Sequence, residues 1–275
     1  TRGIVGCIAN GIDEAAAQAI YEDIYAFANY AFNKAHAVSY AVVAYQTAYC
    51  KCHYTKEYMA ALLSSVLDSS DKINGYFAEC REYGIKLLPP DVNHSSDSFT
   101  VEDDGIRFGL VAIKNIGRGL SQRMMREREE NGPFTDFENF CKRMDGTDMN
   151  KRAVENLIRA GAFDSTGAKR SQLIAVYEKV MDGIAAGNRA NLDGQIDFFG
   201  LGVETQQQSA ITLPDLPEFA PQELMAMEKE TTGLYLTGHP MDDYRPFLKN
   251  THVVPIASLM GEETTAKDED LVCVA

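Results

Sequence analysis

The sequence predicts a mainly helical chain with small β elements, and three observations support this fold class. Apolar residues recur at helical spacing through the first third of the chain, with possible N-caps at Asp13 and Thr55. An Asp103–Asp104–Gly105 turn between two short apolar stretches predicts a β-hairpin. Glycine-containing turns at 112–117 and 160–164 each lie between two apolar stretches. They predict a helix-hairpin-helix motif that is used twice.

Four helices are expected before the first strand, and we expect them to pack as a bundle. Asp13 caps the first helix, which ends near Tyr30, and the fourth starts at Ser70 or Asp71 and ends at Gly84. Between them lie the two helices expected at Ala37–Tyr54 and Thr55–Leu67.

The β elements come next, and further helices follow them. A short strand at Ile85–Leu88 is ended by two prolines, and Ser98–Val101 with Ile106–Leu110 form the hairpin. Thr135 or Asp136 can cap a helix at Phe137–Met144. Two later helices are expected at Lys169–Ala186 and Gln222–Thr232.

The two glycine-containing turns suggest an anion-binding function. Glycine can adopt positive φ, so successive N–H groups can point outward where the next helix begins and its dipole is positive. Basic residues flank both turns, which favours the phosphate backbone of duplex DNA, bound without regard to sequence. The simpler alternative is two ordinary helical hairpins with glycine C-caps. Asp164 weakens the second turn because its carboxylate repels a phosphate; if it instead caps the following helix, only the first hairpin binds DNA well. The candidate DNA-binding residues are Lys114, Asn115, Ile116, Gly117, Arg118, Gly161, Ala162, Lys169 and Arg170.

Charge is distributed unevenly along the chain. The formal net charge is −14, which by itself argues against DNA binding. Between Arg107 and Arg128, however, six basic residues face a single acid, whereas residues 191–275 hold fifteen acids and four bases. The first turn therefore lies in a locally basic stretch, and most of the negative charge lies in the tail.

Composition narrows the class of protein. The 275 residues contain no apolar run of membrane-spanning length, and Thr1–Gly3 resembles neither a signal peptide nor a translation start. We therefore expect a piece of a longer cytoplasmic protein without a membrane partner. The six cysteines form no CxxC pair, and Cys50 and Cys52 would point to nearly opposite sides of a helix, so no metal site is predicted.

A second candidate site lies at the start of the second helix. The site combines a cation, an imidazole and a phenol ring, contributed by Lys34, His36 and Tyr40. His36 and Tyr40 are one helical turn apart and therefore share a face of the helix. Such a site can receive a triphosphate and stack a base or sugar. The alternative is that the histidine and tyrosine only pack or face solvent.

Several long motifs identify a family resemblance. Phe32–Val66, which reads FNKAHAVSYAVVAYQTAYCKCHYTKEYMAALLSSV, closely resembles the fingers of the bacterial replicative DNA polymerase III alpha subunit, family C. The order of hairpins, clamp-binding peptide and OB-fold start along the chain suggests the DnaE type. The resemblance continues through LPPDVN, IRFGLVAIKNIG, LIRAGAFD and EKETTGLYLTGHPM. It implies that Lys34, His36 and Tyr40 lie near the incoming nucleotide. Asn33 replaces a basic residue of some relatives, which leaves Lys34 as the better phosphate candidate.

The resemblance also implies which chemistry this segment lacks. In the family, palm aspartates hold the Mg²⁺ ions of two-metal phosphoryl transfer. Those aspartates are expected before Thr1, so we predict no catalytic residue and no cofactor in this segment, and no DNA synthesis by it alone. Other replisome subunits are expected as partners only through the parent chain.

A candidate partner-binding peptide follows the hairpins. It combines a polar anchor with apolar side chains that can fill a pocket of a partner protein. Its residues are Gln195, Ile196, Asp197, Phe198 and Phe199. They resemble the internal peptide of the alpha subunit that docks on the sliding clamp, its beta subunit. The alternative is a short strand that buries Ile196 and Phe198.

The resemblance suggests four regions. They are the fingers (1–92), a clamp-binding domain with tandem helix-hairpin-helix (93–220), a linker helix (221–250) and the truncated start of an OB-fold (251–275). Two rival functions remain open. One is a stand-alone, non-enzymatic DNA-binding adaptor. The other is a DNA repair glycosylase using Lys114 and Asp136, which we disfavour because Asp136 is better placed to cap a helix.

Overall fold

A computed structural model describes residues 6–29, 34–67, 69–146, 149–192, 212–244, 246, 253–254 and 273–274. Contacts within the chain divide it into two compact units, residues 1–55 and 56–275. The boundary predicted at residue 92 falls inside the second unit.

The described residues of the first unit form a 3-10 turn at Ile8–Asn10 and then α1 (Glu14–Asn29) and α2 (Lys34–His53). The Asp13 carboxylate accepts the N–H groups of Ala15 and Ala16 at 3.1 and 3.3 Å, which confirms it as the cap of α1. α2 begins three residues earlier than expected and has no buried residue.

α3 (Thr55–Ser65) lies in the second unit except for its first residue, Thr55, and α4 (Ser70–Glu82) follows it there. Met59 and Leu63 of α3 and Phe77 of α4 are buried in its core. The side chain of Thr55 bonds the carbonyl of Lys51 instead of capping α3. As predicted, a left-handed glycine, Gly84 at φ +68°, follows the end of α4.

A three-stranded sheet follows, formed by β1 (Leu87–Leu88), β2 (Thr100–Glu102) and β3 (Gly105–Arg107). Their order is β1-β3-β2, with β1 parallel and β2 antiparallel to β3. The predicted hairpin is confirmed, but Gly105 is the first residue of β3 and not part of the turn. A Cβ at Gly105 would lie 2.2 Å from the Lys86 carbonyl oxygen, so the close approach of β1 requires glycine.

The remaining helices build the hairpin region. A 3-10 turn at Leu110–Ala112 leads to α5 (Arg118–Asn131). The next two helices are α6 (Phe137–Arg143) and α7 (Lys151–Arg159). A second 3-10 turn at Asp164–Thr166 precedes the last two, α8 (Arg170–Leu192) and α9 (Pro221–Thr232). β4 (Val253–Val254) and β5 (Cys273–Val274) pair in parallel. Other residues of the predicted OB-fold start lie outside the described residues.

Aromatic side chains form two parts of the second unit's core. Phe77, Phe99 and Phe108 pack with ring centroids 5.0–6.3 Å apart. Phe137 and Phe140 of α6 pack edge-on against Phe163. The Asp136 carboxylate caps α6 by accepting the N–H of Asn139 at 2.8 Å, as predicted. The predicted fold class, mainly α with small β elements, is thereby confirmed.

Candidate nucleic-acid interface

The first hairpin turn projects its central residues into solvent. Ile113 and Ile116 are buried, and they anchor the turn on either side of Lys114 and Asn115, which are exposed. Asn115 has φ +64° and is the one non-glycine residue with positive φ in the described part of the chain. This conformation, which asparagine tolerates better than most residues, turns the backbone toward α5.

Two neighbouring helices hold the backbone of this turn in place. The N–H of Lys114 donates to the carbonyl of Thr231 in α9 at 2.9 Å. The carbonyl of Lys114 accepts a hydrogen bond from the Asn156 side chain of α7 at 2.6 Å. The exposed lysine side chain is therefore presented from a fixed backbone.

The N-terminus of α5 is open. Gly117 is its N-cap residue, and no side chain caps it. A Cβ added at Gly117 or Gly119 would meet no atom within 4 Å, so another molecule can approach the backbone closely here. Gly117 has φ −83°, which corrects the expectation that its positive φ shapes the turn, since Asn115 has that conformation instead.

Only part of the predicted basic cluster is available around this turn. Lys114, Arg118 and Arg126 are exposed. The other three side chains bond within the protein: Arg107 to Glu102 and the Pro89 carbonyl, Arg123 to the Asp145 carbonyl, and Arg128 to the Val92 carbonyl. The stretch is locally basic, but three of its six basic side chains bond to other groups of the protein, so they stabilise the fold and are less available to an external phosphate.

The second hairpin turn is built differently. Gly161 has φ +82°, its N–H donates to the carbonyl of Ile158, and the N–H of Ala162 donates to the carbonyl of Leu157, both at 2.9 Å. This is a Schellman C-cap of α7. Gly161 and Ala162 are buried, so the structure corrects their assignment as exposed phosphate contacts and favours the glycine-capped helical hairpin for this turn.

Arg170 also differs from the prediction. Its side chain is 3% exposed, and its guanidinium bonds Asp164 at 2.7 Å and Glu228 at 3.1 Å. Burial opposes its charge, but the hydrogen bond and charge of Asp164, followed by Glu228, raise the pKa of Arg170 above its ordinary value. A cation enclosed by two carboxylates cannot also reach a DNA phosphate, and Asp164 pairs with Arg170 where a helix cap was expected.

The N-terminus of α8 is already occupied by an anion of the chain itself. The two carboxylate oxygens of Glu218 accept the N–H groups of Arg170 and Ser171 at 2.8 and 3.0 Å. Burial raises the pKa of Glu218, but these N–H groups, that of Phe219 and the Arg170 charge outweigh it, so the pKa lies below its ordinary value. Lys169, though exposed, donates from Nζ to the Leu216 carbonyl at 2.9 Å.

The three nucleotide candidates all lie in the first two turns of α2, in the first unit. Lys34 is the first residue of α2, and Lys34, His36 and Tyr40 are exposed. The His36 and Tyr40 rings are 4.4 Å apart between centroids and tilted by 51°. This confirms the shared face. Their role in nucleotide contact stays a prediction, as does clamp binding by Gln195–Phe199, which lie outside the described residues.

The described residues suggest neither a metal site nor a membrane span. No group of three His, Cys, Asp or Glu side chains there is arranged to hold a metal ion, and Cys50 and Cys52 are exposed, unbonded thiols. Within the same residues, no helix has both the length and the apolar character needed to cross a membrane.

Comparisons with known proteins show what the chain is similar to. Residues 84–173 match the family model of the helix-hairpin-helix motif. The DNA polymerase III subunit alpha of Mycobacterium tuberculosis is 42% identical over 241 residues, which is 86% of this chain and 20% of that protein. This chain is homologous to a segment of DNA polymerase III alpha subunits.

Other relatives support the same assignment. The alpha subunits of Chlamydia pneumoniae and Vibrio cholerae are 41% and 38% identical over 89% and 97% of this chain. These matches cover 20% and 23% of the two proteins. The chain thus spans about a fifth of the length of the curated relatives it matches, and it contains the helix-hairpin-helix region expected from the sequence.

Sequence reasoning missed the residues that fasten the hairpins. The Asn156 side chain donates to the Lys114 carbonyl of the first turn. At the second hairpin, Glu218 accepts the N–H of Arg170 at the start of α8, and Glu228 accepts from the Arg170 guanidinium. A signal for Glu228 existed, because it begins EKETTGLYLTGHPM, one of the stretches that resembles the alpha subunits. Nothing local marks Asn156 or Glu218, since their partners lie 42 and 48 residues away.

Proposed function

We propose that this chain is a segment of a bacterial DNA polymerase III alpha subunit and that its first hairpin binds the backbone of duplex DNA without reading sequence. The observation that carries the proposal is the open N-terminus of α5, which has glycines at its approach and Lys114 and Arg118 exposed beside it.

Backbone groups at the start of α5 can bind the phosphate. The first N–H groups of α5 lack a partner within the helix, and the helix dipole makes this end positive. A phosphate oxygen can accept from them because Gly117 and Gly119 leave the approach clear. Phosphates are the same at every base pair, so such contacts position DNA without specifying sequence.

A salt titration tests this proposal. We would measure binding of the chain to a fluorescent duplex by anisotropy between 50 and 200 mM salt (roughly the range over which such contacts weaken most visibly). Arg118→Ala should reduce the slope of log affinity against log salt by about 0.9, the value for one phosphate contact. Arg126→Ala is the matched control, since it removes the same charge two turns further along α5 and should change the slope less. Equal effects would contradict a site at the helix start.

A second variant separates DNA binding from stability. Gly117→Asp places a favourable cap at the start of α5, so stability should rise by about 0.3–1 kcal/mol. The same carboxylate occupies the anion site and repels phosphate, so DNA affinity should fall. Loss of affinity in a more stable protein cannot be explained by unfolding. Unchanged affinity would count against the proposal.

The wider assignment concerns the protein to which this segment belongs. We infer a DNA-directed DNA polymerase of the bacterial cytoplasm, whose Mg²⁺-binding carboxylates lie in a part of the relatives outside this chain. The 275 residues alone are then expected to incorporate no nucleotide in a primer-extension assay. Incorporation by this segment would overturn that assignment of the catalytic residues.

Clamp binding by Gln195–Phe199 is proposed from the sequence. Burial of Ile196, Phe198 and Phe199 contributes about 1.5–3 kcal/mol each, against an association cost of about 4 kcal/mol or more, so the isolated contact should be weak. On DNA encircled by a clamp, the contact becomes effectively intramolecular and gains about 10²–10⁴ in avidity. The test compares binding to a bacterial beta clamp before and after Gln195→Ala, Phe198→Ala and Phe199→Ala together. Equal binding by both proteins would reject the peptide.

Nucleotide contact by Lys34, His36 and Tyr40 is proposed from their position at the start of α2. Its test requires the complete polymerase. Lys34→Ala should raise KM for the incoming nucleotide about tenfold, because one charge-assisted phosphate contact is lost. Lys51→Ala, at the other end of α2, serves as control. An unchanged KM in Lys34→Ala would remove this residue from the site.

A further inference from the structure

The second unit contains a cleft that the proposed DNA contact does not use. It has a volume of about 470 Å³ and lies between the C-terminal end of α4, β1 and the segment that follows α9. Its size is within the range of pockets that hold small ligands, roughly 300–1,000 Å³. Several of the side chains that line it are cationic or aromatic.

The charged residues of the cleft are all basic. Arg81, Lys86 and Lys229 line it, and no Asp or Glu does. This is unusual in a chain with a formal net charge of −14. Arg81 and Lys86 are exposed, and in the described part of the chain neither makes an ion pair with a carboxylate. Lys229 donates to the Gly233 carbonyl at 2.7 Å, which holds its ammonium group at the cleft wall.

Aromatic rings stand beside these cations. The Lys229 ammonium lies 5.3 Å from the centre of the Tyr235 ring, and the His239 ring packs edge-on against Tyr235 at 5.4 Å. Phe77, Ile85 and Leu234 contribute apolar surface to the same cleft. One wall of the cleft therefore suits a planar ring, and the rest suits an anion.

The wall that carries Tyr235 is held rigidly. Buried Glu228 accepts the N–H groups of Leu236 and Thr237 at 2.9 and 3.0 Å, and Leu234 is itself buried. Gly233, at φ +79°, ends α9 and turns the chain into this wall. The ring is thus positioned before any ligand arrives, which lowers the entropic cost of binding.

We propose that this cleft binds a phosphorylated nucleoside, either a free nucleotide or one unit of single-stranded DNA. The phosphate contacts Arg81, Lys86 and Lys229, and the base stacks against Tyr235. An anion without a ring would leave the aromatic wall unused, and an uncharged aromatic compound would leave three cations unpaired. A nucleotide satisfies both features.

The test measures binding to the whole 275-residue chain by isothermal titration calorimetry. Thymidine monophosphate, a short oligothymidylate and inorganic tripolyphosphate are the three probes. Arg81→Ala and Lys86→Ala should each weaken binding of the nucleotide probes about tenfold, the loss of one charge-assisted contact. Lys72→Ala is the matched control, because Lys72 is an exposed cation of α4 that does not line the cleft.

Tyr235→Leu distinguishes a nucleotide site from a simple anion site. It should weaken thymidine monophosphate and the oligonucleotide while tripolyphosphate binding stays within about twofold. Tighter binding of the oligonucleotide would identify single-stranded DNA as the ligand source, and tighter binding of the monophosphate would identify the free nucleotide. The absence of saturable binding by all three probes, or equal loss in Lys72→Ala, overturns the proposal.

This proposal is independent of the first hairpin. Arg118→Ala should leave nucleotide binding unchanged while it weakens duplex binding, and Lys86→Ala should do the reverse. Loss of both activities in Lys86→Ala, with the helical circular dichroism spectrum intact, would mean that the cleft and the hairpin are one DNA surface and would also overturn the proposal of a separate site.

Discussion

The two hairpins share a sequence pattern but differ in what occupies the start of the second helix. In the first hairpin, Gly117 leaves the N-terminus of α5 uncapped and the turn residues Lys114 and Asn115 are exposed. In the second, Gly161 and Ala162 are buried, and the Glu218 carboxylate fills the N-terminus of α8. Of these two hairpins, only the first can therefore bind an external anion at the start of its second helix, because in the other a carboxylate of the protein already occupies that position.

The nearby charges explain this difference. No acid occurs between Arg107 and Arg126, so nothing near the first turn in sequence competes with a phosphate. At the second turn, Asp164 and Glu228 neutralise Arg170, and Glu218 bonds the helix start. The second hairpin has become a structural support to which the segment before α9 is fastened.

The largest effect is expected from the buried ion pair of the second hairpin. Glu228→Ala leaves the Arg170 charge without this partner and removes the acceptor of two backbone N–H groups, so the free energy of unfolding should fall by about 3–5 kcal/mol. Glu230→Ala is the control, because this exposed glutamate pairs with Arg159 and should cost at most about 1 kcal/mol. Urea denaturation measures both. Similar losses would show that the buried pair does not support the hairpin.

The two turn glycines should respond differently to alanine. Gly161→Ala forces a side chain into positive φ and places a Cβ against the Arg170 guanidinium, so stability should fall by at least about 1–2 kcal/mol. Gly117→Ala has no such strain and meets open space, so it should lower stability less, by at most about 1 kcal/mol, because only a favourable N-cap residue is lost. Thermal unfolding of the pair is the measurement. Equal sensitivity would remove the structural distinction between the turns.

Acid should weaken the second hairpin through Glu218. Its pKa is lowered in the folded protein, so its contribution is fully present above the ordinary value of 4.5 and is lost as the pH falls through the folded pKa. Glu218→Gln should therefore be less stable by about 1 kcal/mol at neutral pH and approach the wild-type stability as the pH falls below 4.5 and through the lowered pKa of the folded protein. The comparison uses urea titrations at several pH values. A difference that does not shrink in acid would contradict this role.

The smallest effect is a change in salt dependence. Lys114→Ala should lower the slope of log duplex affinity against log salt by about 0.9, which amounts to roughly a threefold change between 50 and 200 mM salt. Lys169→Ala removes the corresponding cation of the second turn, whose ammonium bonds the Leu216 carbonyl, and should alter the slope less. If Lys169→Ala proves the more damaging, the second hairpin is the main DNA contact.

Much of the secondary structure followed from local chemistry. Asp13 and Asp136 were predicted as helix caps, and both accept backbone N–H groups of their own helices. The β-hairpin and the exposed first turn were also predictable, because caps, turns and helical periodicity involve residues only a few positions apart. The family resemblance was equally readable, since long motifs lie contiguously in the sequence.

Only the tertiary structure decided which basic residues remain available and which turn stays open. Arg170 looked like a surface cation, yet its buried partner Glu228 lies 58 residues further along the chain. Glu218 reaches the start of α8 across 48 residues. Sequence determines where a helix starts and which charges lie near it, but the occupant of its N-terminus is chosen by packing, because electrostatic pairing depends on distance in space and not along the chain.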